Sequence, residues 1–202
     1  MHMTTLPSGA QKEEKKVAST GAKIAFVSVF SALITLLTIV SVPMPQPLAE
    51  ITLAPAVYLA LGYLVDRKSA FTATAIGSFL GETINLFTRP GYLPIYPFGM
   101  VWARGPEVLI VSVARGRSLK FAGLMMVLAT VYETLAFLIP DGLFYSYGLF
   151  GYGSPMGLTQ GFLAAISDLG TLIDLLFVPI AIGIIKAVQP TFEKLGFTSK
   201  LN

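Results

Sequence analysis

Six apolar stretches alternate with polar segments along the chain. They run over residues 24–42, 51–65, 69–86, 98–113, 121–139 and 161–188. A helix needs roughly 20 apolar residues to cross about 30 Å of hydrocarbon, and a shorter segment can still cross where a broken helix lines a cavity. The pattern therefore predicts an all-α integral membrane protein with a bundle of six transmembrane helices at 23–188. Polar tails precede and follow this domain at 1–22 and 189–202.

The basic residues give the six helices an orientation. With the N-terminus inside, twelve of the 14 Lys and Arg residues fall in cytoplasmic tails and loops. Arg89 alone falls in an outer loop, and Arg104 falls within the fourth stretch. Because cytoplasmic loops of membrane proteins are enriched in Lys and Arg, both termini are predicted to be cytoplasmic, in a multi-pass protein of the cell membrane.

Composition agrees with a membrane domain and limits the chemistry. Hydrophobic residues make up 54% of the chain and charged residues 12%, against about 25% charged residues in a soluble domain. The net charge of +3 arises from the inner loops, which indicates contact with anionic lipid and gives no surface for nucleic acid. Cysteine is absent, which excludes disulfides, thiolate metal sites and a cysteine nucleophile. No cofactor is predicted.

Small residues recur at helical spacing on two of the stretches. Ala73, Gly77 and Gly81 form a stripe on the third, and we interpret it as packing within the bundle because small residues let membrane helices approach closely. Ala25, Ser28 and Ala32 share one face of the first stretch. That face is consistent either with internal packing or with an outward surface that docks a partner.

Aromatic residues are concentrated in the longest outer segment, at 140–160. Its aromatic side chains are Phe144, Tyr145, Tyr147, Phe150 and Tyr152, interspersed with five glycines. This pattern suits a lid that stacks on a flat ligand, and Tyr145 and Tyr147 are the stacking candidates. An aromatic belt at the membrane interface explains the same pattern, and the sequence leaves both readings open.

Ionisable residues inside a span are costly and mark a site by default. From the rise of about 1.5 Å per residue, such residues on four different helices reach the outer half of the bilayer. They predict one pocket open to the outside. Its candidates are Glu82, Asn85, Arg104, Glu107, Tyr132, Glu133, Tyr145, Tyr147 and Asp168.

The roles of Arg104, Glu107 and Asp174 need separate consideration. Arg104 and Glu107 lie three residues apart, so they could form an internal ion pair instead of binding a ligand. Asp174 lies six residues after Asp168, which on an α-helix turns it about 120° away, so Asp174 is left out of the pocket. The excess of carboxyls over Arg104 favours a ligand that carries positive charge or several donors.

The whole arrangement resembles the substrate-binding S component of energy-coupling factor (ECF) transporters, which import vitamins. The resemblance covers roughly residues 23–188. It rests on six helices with both ends inside, a short Pro-containing first outer loop at 42–50, the loops at 87–97 and 140–160, and the small-residue face of the first helix. Members of this family typically carry an Ala-xxx-Ala motif on that helix; here Ser28 and Ala32, preceded by Ala25, are its nearest match.

The resemblance implies a fold, a function and partners. The protein is expected to capture a small vitamin or vitamin precursor from outside, with a cationic, thiamine-like compound as the favoured class. It is expected to dock through Ala25, Ser28 and Ala32 onto a transmembrane T component driven by two ATPase subunits. Membrane lipid is the remaining partner, and no covalent chemistry is expected of the chain.

Two other function classes compete with this one. An autonomous proton-coupled transporter would use the intramembrane carboxyls as a proton relay. No convincing inverted repeat relates the two halves of the sequence, although divergent repeats can be invisible. An intramembrane enzyme is disfavoured, because His2 is the only histidine and no Gly-rich phosphate loop is present.

Overall fold

A computed structural model describes residues 18–42, 51–89 and 92–197, and these ranges are predominantly helical. They form α1 (Thr20–Ile39), β1 (Ser41–Val42), β2 (Ile51–Thr52), α2 (Ala54–Leu64), α3 (Arg67–Thr88), α4 (Tyr96–Ser112), α5 (Leu119–Tyr147), α6 (Leu158–Ala164), a 3₁₀ segment (Ala165–Leu176) and α7 (Phe177–Lys194). The strands pair antiparallel, with Ser41 opposite Thr52 and Val42 opposite Ile51. Most of the predicted first outer loop, at 43–50, lies outside the described residues, as do residues 1–17 of the first tail and 198–202 of the second.

Polar residues in the sequence set where the helices begin and end. The side chains of Ser19, Asp66 and Ser118 accept hydrogen bonds from backbone N–H groups in the first turns of α1, α3 and α5, at 3.2, 3.1 and 3.3 Å. Such caps satisfy N–H groups that have no partner inside the helix. At the other end of α5, Gly148 adopts φ of 64°, a left-handed conformation that glycine tolerates and that ends the helix.

Among the residues that the structure describes, three helical segments are long and apolar enough to cross a membrane. They are α1, α5 and the continuous segment Leu158–Lys194, with mean hydropathies of 2.1, 1.9 and 2.1. Helix α2 is apolar but has only 11 residues. The prediction of a helical membrane protein is therefore confirmed in this coarser form.

Helix α1 packs along α3 through the glycine stripe. A Cβ atom at Gly77 would lie 2.7 Å from the Cβ of Ile34, and one at Gly81 would lie 2.6 Å from the Cβ of Thr38. Ala73 is fully buried in the same interface. The stripe on α3 thus serves packing within the bundle, as the sequence indicated. Ala25, Ser28 and Ala32 are all exposed on α1, so internal packing does not explain them.

Helix α2 lies in the centre of the bundle. Nearly every residue of α2 is buried, and it packs against α4 and α7. A Cβ at Gly62 would lie 2.9 Å from the carbonyl oxygen of Val108, so the backbones of α2 and α4 are in close contact. This placement brings Tyr58 of α2, whose side chain is fully buried, to the polar interior of the bundle.

Two expectations about the outer segments are wrong. The predicted loop at 140–160 is helical at its start, because α5 continues through Pro140 to Tyr147, and the non-helical connection covers only residues 148–157. The predicted sixth helix at 161–188 starts earlier, at Leu158, and is interrupted by twelve residues of 3₁₀ helix. Long 3₁₀ runs are uncommon and often mark functional positions.

Candidate functional site

A buried polar cluster occupies the space between α2, α3, α4, α5 and the 3₁₀ segment. We call it the Arg104 cluster; its members are Thr52, Tyr58, Glu82, Arg104, Glu107, Glu133 and Asp174. Every member is at most 6% exposed. It contains four carboxyl groups and one guanidinium, so it carries excess negative charge if all of them ionise.

Arg104 is the centre of this cluster. Its Nε donates to Oε1 of Glu133 on α5 at 3.0 Å, and its Nη2 donates to Oγ1 of Thr52 at 3.5 Å. Its guanidinium lies 5.6 Å from the centroid of the Tyr58 ring, within cation–π range. Glu82 of α3 adds electrostatic attraction and accepts a hydrogen bond from Asn85 at 3.3 Å. The alternative of an Arg104–Glu107 pair is wrong, because the salt bridge joins Arg104 to Glu133.

Glu107 differs from the other carboxyls of the cluster. Its side chain is fully buried, and among the described residues neither of its oxygens has a donor at full hydrogen-bonding geometry, although the Tyr58 hydroxyl faces it. The Nη1 atom of Arg104, one helical turn away, likewise has no partner among those residues. Buried polar atoms are normally satisfied by protein, water or ligand. The Glu107 carboxyl and the Nη1 group of Arg104 can therefore bind water or a ligand.

Asp174, which was left out of the predicted pocket, belongs to the Arg104 cluster, and Asp168 does not. It is 6% exposed and interacts electrostatically with Glu133 and Arg104. The 120° divergence from Asp168 assumed an α-helix. In a 3₁₀ helix, with three residues per turn, positions 168, 171 and 174 share one face. Thr171, the middle residue, hydrogen-bonds to Thr134 of α5 at 2.7 Å, which fixes that face against α5.

Proline residues interrupt α4 and α5 beside the cluster, and side chains satisfy the carbonyls that they free. A proline has no N–H, so the carbonyl four residues earlier loses its helical donor. Pro106 frees the carbonyl of Trp102, which accepts from the Tyr132 hydroxyl at 2.9 Å. Pro140 frees the carbonyl of Ala136, which accepts from Nε1 of Trp102 at 3.0 Å. These reciprocal bonds join α4 to α5.

This arrangement changes the roles of two predicted pocket residues. The hydroxyl of Tyr132 is committed to the Trp102 carbonyl, so Tyr132 holds the helices together outside the Arg104 cluster. Tyr147 lies at the end of α5 with 57% of its surface exposed, and it is not part of the aromatic packing described next. The other candidates on α3, α4 and α5, namely Glu82, Asn85, Arg104, Glu107 and Glu133, are brought together.

A second cluster lies about 12 Å further along α5, since Asp141 follows Glu133 by eight residues. We call it the tyrosine cluster; its members are Tyr96, Asp141, Tyr145, Tyr152 and Asp168. The ring of Tyr152 packs edge-on against Tyr145 and Tyr96, with centroids 4.5 and 6.3 Å apart. Asp168 therefore lies here and not with Arg104, as its interaction with Asp141 shows. Its Oδ2 has no hydrogen-bond partner among the described residues.

Tyr152 closes the tyrosine cluster from the connection after α5. It is 5% exposed although it belongs to a non-helical segment. Burial, followed by the neighbouring Tyr96 and Asp141, raises the pKa of Tyr152, so its hydroxyl keeps its proton. The hydroxyl faces Asp141 and Tyr96, although neither meets full hydrogen-bonding geometry. An aromatic lid was expected at this position, and the rings come from α4, α5 and this connection.

Some members of both clusters had no signal in the sequence. Tyr58 is an aromatic residue in a wholly apolar helix, and Asp141 lies in a segment that was expected to be a loop. The spacing of Asp168, Thr171 and Asp174 at intervals of three is the one pattern that could have indicated the shared face. Within the described ranges, no group of three or more His, Cys, Asp or Glu residues is arranged to hold a metal ion.

The groups of the two clusters can hydrogen-bond to a polar solute and stack on it. Carboxyls, tyrosine hydroxyls and one guanidinium offer hydrogen bonds and charge, and the aromatic rings offer flat surfaces. Comparison of the chain with family models, with curated proteins and with solved structures found no match.

Proposed function

We propose that this protein is the substrate-specific subunit of an ATP-driven importer of the ECF type. In this proposal all six apolar stretches cross the cell membrane, both termini are cytoplasmic, and a small vitamin or vitamin precursor enters from outside. The observation that carries the proposal is the Arg104 cluster. A fully buried Glu107 without a donor at full hydrogen-bonding geometry is costly to retain in a purely structural bundle, but it is useful where a solute supplies the donor.

The tyrosine cluster supports the same function. It lies beyond the Arg104 cluster along α5, on the predicted outer side, and it combines rings with the carboxyls of Asp141 and Asp168. Within the described part of the chain, no salt bridge joins a Lys or Arg to either of these carboxyls. Aromatic faces and carboxylates together attract organic cations. A thiamine-like compound or its pyrimidine precursor is therefore the favoured class of solute.

The exposed small-residue face of α1 supports docking to a T component. Ala25, Ser28 and Ala32 are exposed together, and a shallow groove beside them is lined by Lys23, Ile24, Val27 and Thr72. Small residues on a lipid-facing helix permit close approach of another helix. In this proposal two ATPase subunits bound to the T component supply the energy, and the chain itself performs no covalent chemistry.

The first experiment is mass spectrometry of small molecules released by denaturing the purified full chain. A co-purified vitamin-like compound, or thermal stabilisation by one member of a vitamin panel that includes thiamine, is the expected result. An empty extract together with no stabilisation across the panel would overturn the binding function. Glu193→Gln, which changes an exposed carboxyl at the inner end of α7, is the matched control for loss of binding in cluster variants.

A second experiment separates binding from docking. Ala32→Leu adds bulk to the exposed face of α1, so ATP-dependent uptake in cells should fall while solute binding by the purified variant stays unchanged. Ala187→Leu makes the same change at an exposed position of α7 and should leave both unchanged. Equal uptake in the two variants would reject the α1 face as the docking surface.

The buried carboxyls are also compatible with the alternative function, an autonomous proton-coupled transporter. Glu107 and Asp174 are buried acids of the kind that relay protons in secondary transporters. Purified protein in liposomes decides between the two functions. Solute accumulation driven by a proton gradient without any ATPase would favour the autonomous transporter, and uptake that requires ATPase partners favours the importer subunit.

A further inference from the structure

We infer that Glu107 holds a proton while the Arg104 cluster is empty and releases it when an organic cation binds. This inference rests on the proposed solute-binding function and specifies how the site selects its ligand. One positive charge enters the cluster as the solute and one leaves as the proton. The net charge of the buried site is therefore the same before and after binding.

The first step of the argument is the isolation of Glu107. The side chain is fully buried, and within the described part of the chain neither carboxyl oxygen has a donor at full hydrogen-bonding geometry. The Tyr58 hydroxyl, which is shared with Glu133, faces Glu107 as a donor. An ionised carboxylate removed from water without a partner is destabilised by several kcal/mol, and such a group takes up a proton instead. Glu107 is thus a neutral carboxylic acid in the empty site.

The second step is the count of charges around Glu107. Arg104 is the one cation of the cluster, and its Nε is committed to Glu133 at 3.0 Å. Asp174 adds a further carboxyl beside Glu133. The titratable and charged groups that face Glu107 are Tyr58 from α2, Arg104 from α4 itself, Glu133 from α5 and Asp174 from the 3₁₀ segment, while Glu82 from α3 faces Arg104.

The third step is the effect of a cation with N–H donors. Such a ligand supplies the donors that the Glu107 oxygens lack, and its charge stabilises the carboxylate. The proton on Glu107 then leaves to solvent. A neutral ligand with the same shape brings no charge to replace the proton and gains less from Glu107. Proton exchange therefore gives the site a preference for cations over their neutral isosteres.

The experiment begins with the ligand-free full chain in lipid nanodiscs. Infrared difference spectra over a pH titration record the carbonyl stretch of protonated carboxyl groups. We expect a band at neutral pH that is missing in Glu107→Gln and retained in Asp174→Asn and in Glu193→Gln. Glu107→Met serves as a second variant in case the amide disturbs folding. A spectrum without any band that depends on Glu107 overturns the inference.

The second arm adds thiamine and other organic cations that carry N–H groups to the same preparations. Calorimetric titration in two buffers with different ionisation enthalpies counts the protons released. We expect about one proton per bound cation and about tenfold tighter binding for each unit of rising pH, up to the titration of Glu107. In Glu107→Gln that pH dependence should disappear.

The outcomes separate this inference from the proposed function. Binding of a cation without proton release, or with the same release in Glu107→Gln, overturns the exchange and leaves solute binding intact. Failure of every cation to bind overturns the exchange as well, since its ligand class is then wrong. If a neutral solute co-purifies in that case, the binding function survives. If nothing co-purifies, both fail.

Discussion

The α1–α3 interface and the α4–α5 interface solve the same packing problem in opposite ways. Between α1 and α3, Gly77 and Gly81 remove side chains so that the backbones touch. Hydroxyl groups add bonds across that interface, with Thr35 donating to the carbonyl of Gly77 at 3.0 Å. Between α4 and α5, large polar and charged side chains fill the space, and Arg104 pairs with Glu133 in a site shielded from water.

The two interfaces respond differently to changes in side-chain volume and in charge. Close packing of small residues needs no exact charge state and tolerates no added volume. A buried charged interface has room for polar groups but depends on every partner being present. The α1–α3 interface therefore holds the bundle together, and the α4–α5 interface can respond to a ligand. A change of volume should therefore destabilise the α1–α3 interface more, and a change of charge should destabilise the α4–α5 interface more.

The largest effect should come from breaking the buried ion pair. Arg104→Met leaves Glu133 without its cation, so unfolding in mixed micelles should become easier by roughly 3–5 kcal/mol. Adding Glu133→Leu to Arg104→Met removes the unpaired carboxyl and should restore part of the loss. Lys120→Met changes an exposed cation at the start of α5 and should alter stability by less than about 0.5 kcal/mol.

An outcome in which the double variant is less stable than Arg104→Met would contradict this account. It would mean that Glu133 is held by groups other than Arg104. Tyr58 is the one to examine, since its hydroxyl lies 3.4 Å from Oε2 of Glu133. Tyr58→Phe would then show whether that contact carries the stability.

The next largest effect should come from the side chains that satisfy proline-freed carbonyls. Trp102→Phe leaves the carbonyl of Ala136 without a donor, and the cost of an unsatisfied buried acceptor is about 1–3 kcal/mol. In a Pro140→Ala background the backbone N–H of residue 140 can bond to that carbonyl. The same Trp102→Phe change should therefore cost less there, as a double-mutant cycle on unfolding free energy measures.

The matched control combines the tyrosine variant with each of the two proline variants in turn. Tyr132→Phe should couple to Pro106→Ala, because Tyr132 serves the carbonyl that Pro106 frees. It should be additive with Pro140→Ala. Equal coupling in both combinations would show that the prolines act through general loosening of the helices and not through individual carbonyls.

These two interfaces also differ in how far the sequence predicts them. The stripe of Ala73, Gly77 and Gly81 has the spacing of an α-helix, and α3 is a regular α-helix, so its packing role was predicted. The clustering of Glu82, Arg104, Glu107 and Glu133 in a shared interior followed from helix rise and from the cost of buried charge. Such predictions succeed where the backbone is a regular α-helix.

Prediction failed where the backbone departs from regular geometry. Asp174 was excluded by an α-helical angle that does not apply to the 3₁₀ segment. Tyr132 was taken for a ligand residue because the sequence does not show which side chain meets the carbonyl that Pro106 frees. The extent of α5 was underestimated because Pro140 normally marks a helix boundary, yet here a side chain of α4 takes over the missing bond.

On the scaffold side, a single added methyl group should destabilise the bundle. Gly77→Ala places a Cβ 2.7 Å from both the Cβ of Ile34 and the carbonyl oxygen of Ser31, so α1 must move away. Overpacking of this kind costs about 1–3 kcal/mol, measurable as a lower unfolding midpoint. Gly183→Ala, where nothing lies within 4 Å, should be neutral or stabilising by up to about 1 kcal/mol. Equal losses in both variants would remove the steric explanation.

The smallest effect should come from Asp66, which caps α3 and forms a partly exposed ion pair with Lys23 of α1. Burial by itself raises the pKa of Asp66, but two hydrogen bonds from Ser69 and the charge of Lys23, 3.7 Å away, outweigh it and lower the pKa. Asp66→Ala should cost about 0.5–2 kcal/mol through loss of the α3 cap. Because the folded pKa is below the unfolded value of about 3.9, that stability is present above this pH and is lost as pH falls through the folded pKa.

Unfolding free energies of the native chain and Asp66→Ala should therefore converge in acid and differ by a constant amount at neutral pH. Asp66→Asn separates the two contributions, because an asparagine oxygen still caps α3 while the charge is gone. It should lose less stability than Asp66→Ala and should flatten the acid branch. A difference between native chain and Asp66→Ala that does not change with pH would show that the cap acts without its charge. The cap of α3 would then be insensitive to the protonation of Asp66, and pH would act on this fold through the carboxyls of the Arg104 and tyrosine clusters.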